Sequence, residues 1–216
     1  MTHALHRAGN SFQNDWIIYL YPTREFKHSG AAKKLVDLTE IVQEEHACNY
    51  AGYEIKASIC AGETFEQIKS MTTDKGRFFS VFSTKEDFIN ALRRIKEYDA
   101  GLSVVVAALT DEVREIARGL DIKPHTINMS LGIFGNKAIL PEMEILEVTT
   151  MCGHGMVSPY LVKKILAKIK KGLINVEEGA IELAKPCVCG IFNPVKASEL
   201  LKKLLPLWYL SGRRSH

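Results

Sequence analysis

Hydrophobic and polar residues follow two periods along residues 1–150, and these periods predict strands and helices in turn. A continuous apolar run over residues 16–21 and largely apolar segments over residues 77–82 and 102–109 predict strands, of which the first and last should be buried. Apolar residues at helical spacing over residues 31–46 predict an amphipathic helix after the first run. Because strands alternate with helices, we expect an α/β fold with a mainly parallel or mixed sheet. It would be an α+β sandwich, either ferredoxin-like or a small open sheet.

Weaker patterns complete this region. Residues 53–59 and 126–134 alternate between apolar and polar side chains, which predicts two half-exposed strands. Thr64 and Thr110 stand where a hydroxyl can cap the first turn of the helix that we expect to follow. Residues 83–86 form a capping-box sequence ahead of a further helix.

Strand patterns stop near residue 150, and three cap sequences predict a three-helix unit. Ser158 and Asn193 each precede a proline, a pair typical of a helix start, and Asn175 begins a capping-box sequence. We expect Pro206 to end the last helix. The chain is therefore divided into an α/β sandwich domain, a helical unit and a tail: residues 1–150, 151–210 and 211–216.

Composition narrows the function classes. The 216 residues include 46% apolar and 25% charged side chains with a net charge of +3, values that exclude disordered and collagen-like chains. This balance predicts neither a nucleic-acid nor a membrane partner. The N-terminal residues lack the apolar core of a secretory signal, so we expect a cytoplasmic protein. Its five cysteines, an odd number, should then be reduced thiols.

Three of these cysteines stand in two similar segments of the predicted helical unit. Cys152-Gly153-His154-Gly155 leads into one helix, and Cys187-Val188-Cys189-Gly190 leads into another. The glycine after a cysteine allows a backbone bend, and the following helix N-terminus favours thiolate over thiol. Because an up-down pair of helices returns its ends to one side, we expect the donors of both segments to form one site.

Two kinds of metal centre fit these donors. Cys152, His154, Cys187 and Cys189 can hold Zn²⁺ as four soft ligands. Alternatively, the three thiolates can hold an iron–sulfur cluster, with His154 as a fourth ligand or as a donor behind the ligands. The spacings C-x-H and C-x-C differ from the wider C-x-x-C spacing of most structural zinc sites.

The remaining cysteines and histidines point less clearly to chemistry. A free cysteine often acts as a small buried apolar side chain, which is our interpretation of Cys60 and an alternative for the whole cluster. His46 and Cys48 fit a helix-end histidine and a core cysteine better than a donor pair. We expect a flexible start of the chain at His3, His6 and Arg7.

Residues 151–155, Met-Cys-Gly-His-Gly, resemble the Met-Cys-Gly-His motif of proline racemases and related epimerases. The resemblance covers these five residues of the chain. In that family the cysteine is one of two thiols that exchange a proton at an amino-acid α-carbon. The second thiol has a Pro-Cys-Gly context, to which residues 186–190 are similar in part. The resemblance implies that Cys152 could act as a base or a nucleophile.

Three functions follow from these patterns. The first is a metal-binding or iron–sulfur protein. The second is a racemase-, epimerase- or lyase-like thiol enzyme that acts on a small carboxylate or amino acid, with Cys152 and His154 as catalytic residues. Its glycine amides would bind a small anionic ligand or cofactor, at Gly153, Gly155 and Gly190. The third is a non-catalytic regulatory or assembly protein with structural cysteines, in which the sheet binds a ligand or pairs with a second subunit as a homo-oligomer.

Overall fold

The chain folds around one antiparallel sheet. The structure, a computed structural model, describes residues 7–10, 12–23, 29–52 and 56–211, with side chains as far as residue 207. In chain order the strands are β1 (Trp16–Tyr21), β2 (Asn49–Gly52), β3 (Ala57–Ser58), β4 (Phe78–Phe82) and β5 (Ser103–Ala107). Their spatial order is β3-β2-β4-β1-β5, and every neighbouring pair is antiparallel.

Helices connect the strands and then continue alone towards the C-terminus. They are α1 (Ala31–Glu44), α2 (Phe65–Met71), α3 (Lys85–Tyr98), α4 (Thr110–Gly119), α5 (Met143–Thr149), α6 (Pro159–Lys170), α7 (Val176–Ala184) and α8 (Pro194–Ser211). Strands β1, β2, β4 and β5 with α1 and α3 follow a βαββαβ order, and the spatial order β5-β1-β4-β2 is the ferredoxin-like arrangement. The expected α/β fold with C-terminal helices is therefore confirmed.

The expected parallel or mixed sheet is wrong. Helix α1 connects β1 to β2, and these two strands do run in the same direction. However, β4 lies between them and runs in the opposite direction, so β1 and β2 never become neighbours. Strand direction thus depends on which strands pair across the sheet, and the local pattern of apolar residues does not record that.

Alternate side chains of the sheet enter two separate cores. In β1, Ile17 and Tyr19 face the layer formed by α5–α8, whereas Trp16, Ile18 and Leu20 face α1 and α3. The sheet is therefore the middle of three layers. Burial on both faces explains why β1 is a continuous apolar run, and why β4 is apolar except for the buried Ser80, rather than alternating.

The cap sequences of the C-terminal helices are confirmed, but the predicted end of α8 is wrong. Side-chain oxygens of Ser158, Asn175 and Asn193 accept backbone N–H bonds of 2.7–3.1 Å from the first turns of α6, α7 and α8. Helix α8 continues past Pro206 to Ser211. An interior proline removes one backbone hydrogen bond and crowds the carbonyl four residues earlier, which weakens a helix but does not always end it. The layer also includes α5, which begins before residue 150.

The predicted strand over residues 126–134 is absent. These residues form no regular secondary structure and are exposed to solvent, because none of the described strands pairs with them. Of the predicted strand 53–59, only Ala57–Ser58 is paired, and residues 53–55 lie outside the described part of the chain. Helix α4 begins without a side-chain cap, and Thr84 rather than Ser83 caps α3.

None of the described helices is long and apolar enough to cross a lipid bilayer.

Candidate metal centre

Two loops of the helical layer carry the candidate donors. One loop holds Cys152 and His154 between α5 and α6, and the other holds Cys187 and Cys189 between α7 and α8. Helix α6 leads away from the first loop and α7 returns to the second. Their antiparallel packing therefore brings both loops to the same end of the layer.

A glycine sets how closely α6 and α7 approach each other. A Cβ atom built on Gly179 of α7 would lie 2.8 Å from Ile165 Cγ2 and 3.0 Å from Ile169 Cδ1 of α6. Only glycine fits this contact without movement, because real Cβ atoms do not come so near. The close contact fixes the position of the returning chain, and hence of Cys187 and Cys189.

The structure brings all four predicted donors together. The Sγ atoms of Cys187 and Cys189 are 3.7 Å apart, and Cys189 Sγ is 3.6 Å from His154 Nδ1. Cys152 lies near enough to Cys187 for the two thiols to shift each other's pKa. The donors thus follow one another in the order 152, 187, 189 and 154, although they come from two separate loops.

The sulfur atoms are buried and the imidazole is not. Cys152, Cys187 and Cys189 are at most 1% exposed, whereas His154 is exposed to solvent. The sulfurs belong to the apolar core that joins the helices to the sheet, together with Ile17 and Phe79. His154 is thus the donor of the four that solvent reaches directly.

Burial and mutual contact shift the pKa values of the three thiols in different directions. A hydrogen bond with Cys187, followed by burial, raises the pKa of Cys152 well above its usual range. The bond with Cys152 lowers the pKa of Cys187, but the bond with Cys189 and burial outweigh it and place that pKa at about 12. The bond with Cys187 lowers the pKa of Cys189. Negative charge on more than one of these buried thiols is therefore unfavourable unless a cation lies nearby.

The donors do not yet surround one point. Among the described residues, no group of three or more His, Cys, Asp or Glu side chains is already arranged to hold a metal ion. Neighbouring donors are in contact in pairs, so a rotation of side chains in the two loops is needed to close a shell. The loop with His154 contains Gly155 in a left-handed conformation, at φ +69°. A Cβ atom built on Gly155 would meet no other atom within 4 Å, so there is open space beside this residue of the loop.

An arginine that no sequence pattern indicates ties the two loops together. Arg7 Nη2 donates to the carbonyl oxygens of Met151 at 3.5 Å and Ile191 at 3.1 Å, one in each loop. Its Nη1 forms a fully buried ion pair with Asp15. Asn193 Nδ2 completes the network by donating to Asp15 Oδ1 at 3.0 Å. The expected flexible start is thus wrong for Arg7, because the buried carboxylate fixes it; His3 and His6 lie outside the described residues.

The buried guanidinium also affects the charge of the cluster. Burial lowers the pKa of Arg7 to about 10, while negative charge on Cys187, Cys152 and Cys189 would raise it. The side chain therefore stays cationic at neutral pH. It offsets part of the negative charge that thiolates would bring into this core.

Packing and backbone conformation account for the other residues that the sequence singled out, which are Gly190, Cys60, Cys48 and His46. Gly190, at φ +69°, packs so closely on β2 that a Cβ would lie 2.6 Å from Ala51 Cβ. Cys60 is buried in the core. The Cys48 thiol donates to Val81 O at 3.3 Å, and His46 is exposed in a left-handed conformation after α1. For Cys48 and Cys60, burial raises the thiol pKa to about 12.

No protein-family model, curated protein or solved structure matches the chain. The geometry of the cluster is therefore what bears on its function.

Proposed function

We propose that the chain binds one tetrahedrally coordinated metal ion, best suited to Zn²⁺, through Cys152, His154, Cys187 and Cys189. The spacing of the donors supports this proposal most directly. With Zn–S near 2.3 Å and Zn–N near 2.0–2.1 Å, tetrahedral ligands lie about 3.8 Å apart for two sulfurs and about 3.6 Å apart for sulfur and nitrogen. The spacings in the cluster are 3.7 Å and 3.6 Å.

The same spacing favours one ion over a [4Fe–4S] cluster. In a [4Fe–4S] cluster each cysteine sulfur binds a different iron atom, so the sulfurs lie farther apart than ligands of a single ion, whereas in a [2Fe–2S] cluster two ligands share an iron. Cys187 and Cys189 are close enough to share one ion. Thiolate and imidazole together are a donor set that Zn²⁺ prefers, and a single iron ion with soft ligands is the alternative that metal analysis would distinguish.

Four protein ligands leave no open position, which is typical of a structural or storage site rather than a catalytic one. The ion would offset the charge of the buried thiolates, so its binding would be coupled to loss of the thiol protons. His154, as the exposed donor, is the ligand that a chelator or an acceptor protein would reach first.

The thiol-enzyme alternative receives less support from this geometry. Cys152 is 1% exposed and its pKa is raised by the bond with Cys187 and by burial, whereas a nucleophile needs an accessible thiolate. The two thiols that resemble the racemase pair lie near enough to shift each other's pKa. A substrate α-carbon would have to separate them.

Metal analysis of the full chain tests the proposal. Protein purified without oxygen should contain about one equivalent of zinc and be colourless, and Co²⁺ in its place should show the visible absorption of tetrahedral sulfur coordination. Cys189→Ser should lose the metal, because a hydroxyl is a poor ligand for Zn²⁺. Cys60→Ser is the matched control: it changes another buried thiol in the same core and should keep the metal.

Three results would contradict this function. Brown protein with broad visible absorption would replace the single ion by an iron–sulfur cluster. Metal-free protein that takes up neither Zn²⁺ nor Co²⁺ would remove the metal site altogether. Equal metal content in Cys189→Ser and in the wild-type chain would exclude Cys189 as a ligand.

A further inference from the structure

Residues 126–134 form an apolar segment whose residues are all exposed to solvent. Alternate residues are apolar and 46–89% exposed: Ile127, Met129, Leu131 and Ile133. The residues between them are small or polar, which is the pattern of a strand with one apolar face. Exposed apolar surface this continuous marks an interaction site in a folded protein.

The segment also lacks the features that keep exposed strands apart. Between His125 and Lys137 the sequence contains no charged residue and no proline. Natural proteins place lysine, proline or a bulge in exposed strands because an unprotected strand pairs with other chains. An unprotected strand sequence is therefore expected to be covered in the working assembly.

Strand β5 offers an edge of the same kind. Among the described strands it pairs with β1 only, so its other edge is free. Its residues, Ser103–Ala107, include no charge and no proline, and Val104 is 41% exposed. The opposite edge of the sheet differs, because β3 has only two residues and follows Lys56.

We propose that two copies of this chain associate by adding residues 126–134 of each copy to the β5 edge of the other. Each chain supplies one free edge and one unpaired strand sequence, so a two-fold exchange covers both and leaves neither exposed. The apolar row would then lie on the sheet beside Val104, and backbone bonds would complete the ladder. The dimer is independent of the metal site, which lies in the helical layer.

Light scattering and sedimentation of the full chain over a range of concentrations test the exchange. Wild-type protein should be dimeric. Leu131→Lys should weaken the dimer by at least about tenfold, since it places a charge in the apolar row. Leu131 is 89% exposed in the single chain, so the variant should fold normally. Ser130→Lys is the matched control: it adds the same charge to the neighbouring residue on the polar side and should remain dimeric.

Cross-linking identifies the contact. We would mix Val104→Cys protein with Leu131→Cys protein and add a flexible bismaleimide, using wild-type protein to account for the native thiols. Cross-linked dimers formed only in the mixture support the exchange. Wild-type protein that is monomeric at every concentration, or a dimer that survives Leu131→Lys, would overturn it. Cross-linking within one chain of the double variant would also overturn it, in favour of a segment that folds onto its own β5. A wild-type dimer that Ser130→Lys also disrupts would overturn the pairing of an alternating strand.

Discussion

At the scale of single residues, Arg7 is the best example of a side chain whose role only the fold reveals. It contacts carbonyl groups 144 and 184 residues away in sequence, and its charge is matched by buried Asp15. It also lies against the Phe12 ring, 5.1 Å from the ring centre. An ion pair that is removed from water contributes little when intact, but loss of one partner leaves the other charge buried and unpaired.

We therefore expect Arg7→Gln to destabilise the protein by about 3–5 kcal/mol, because Asp15 keeps its charge without a partner. Urea unfolding monitored by circular dichroism measures the change. The double variant Arg7→Gln, Asp15→Asn should recover part of the loss, since it removes both charges. If the double variant were as unstable as the sum of the two single variants, the pair would not be coupled.

The sequence indicates the four candidate cysteine and histidine donors. It does not indicate the residues that hold their two loops in position. Cys152 and Cys189 each precede a glycine and a helix cap, and helix lengths predict that the loops meet. Arg7 stands in a polar N-terminal stretch without any such pattern. Its environment is set by Ile191 and Asn193 from the other end of the chain, and no local signal records those contacts.

At the scale of elements, the α6–α7 pair decides whether the two loops meet. Helix α7 carries Gly179 in its interior, although glycine costs a helix about 0.5–1 kcal/mol relative to alanine. Close packing against Ile165, which is fully buried, explains why the smallest residue stands there. Packing thus overrides helix propensity at this position.

Gly179→Ala should destabilise the protein by about 1–3 kcal/mol despite the better propensity, because its Cβ would collide with the branched side chain of Ile165. It should also lower metal affinity by moving Cys187 and Cys189. Gly119→Ala in α4 is the control, since its Cβ meets no other atom within 4 Å and should be neutral or slightly stabilising. Thermal unfolding and competition with a zinc chelator measure both effects; equal stability of the two variants would contradict this role of Gly179.

Helix starts were accessible to sequence reasoning because they are local. Thr64, Ser158 and Asn175 cap the helices that their spacing predicts. The absence of a strand over residues 126–134 could not be predicted in this way. A strand exists only with a neighbour to pair with, and the described chain provides none. The alternating pattern there predicted a strand, and the structure shows no regular secondary structure at these residues.

At the scale of the whole molecule, the cysteine cluster lies inside a core shared by two layers. The sulfurs of Cys187 and Cys189 belong to the same apolar cluster as Tyr19 and Val81 of the sheet. A bound ion would therefore stabilise the sheet as well as the helices, since it binds only the folded arrangement.

Removal of the metal by a chelator should accordingly lower the melting temperature of one cooperative transition. An ion present at about 1,000 times its dissociation constant stabilises the folded state by about 4 kcal/mol. Far- and near-ultraviolet circular dichroism should show the helices and the aromatic side chains melting together. Separate melting of the helices at the lower temperature, with the aromatic signal retained, would show that the two layers unfold independently.

The contacts of Arg7 constrain the order of events during biosynthesis. Ile191 and Asn193 are synthesised 184 and 178 residues after Arg7 and Asp15, the residues that they contact. Until Ile191 and Asn193 emerge from the ribosome, the nascent chain cannot bury Arg7 and Asp15 against them. Cys187 and Cys189 emerge at the same stage, so the proposed metal site would be completed only when Arg7 and Asp15 gain these partners.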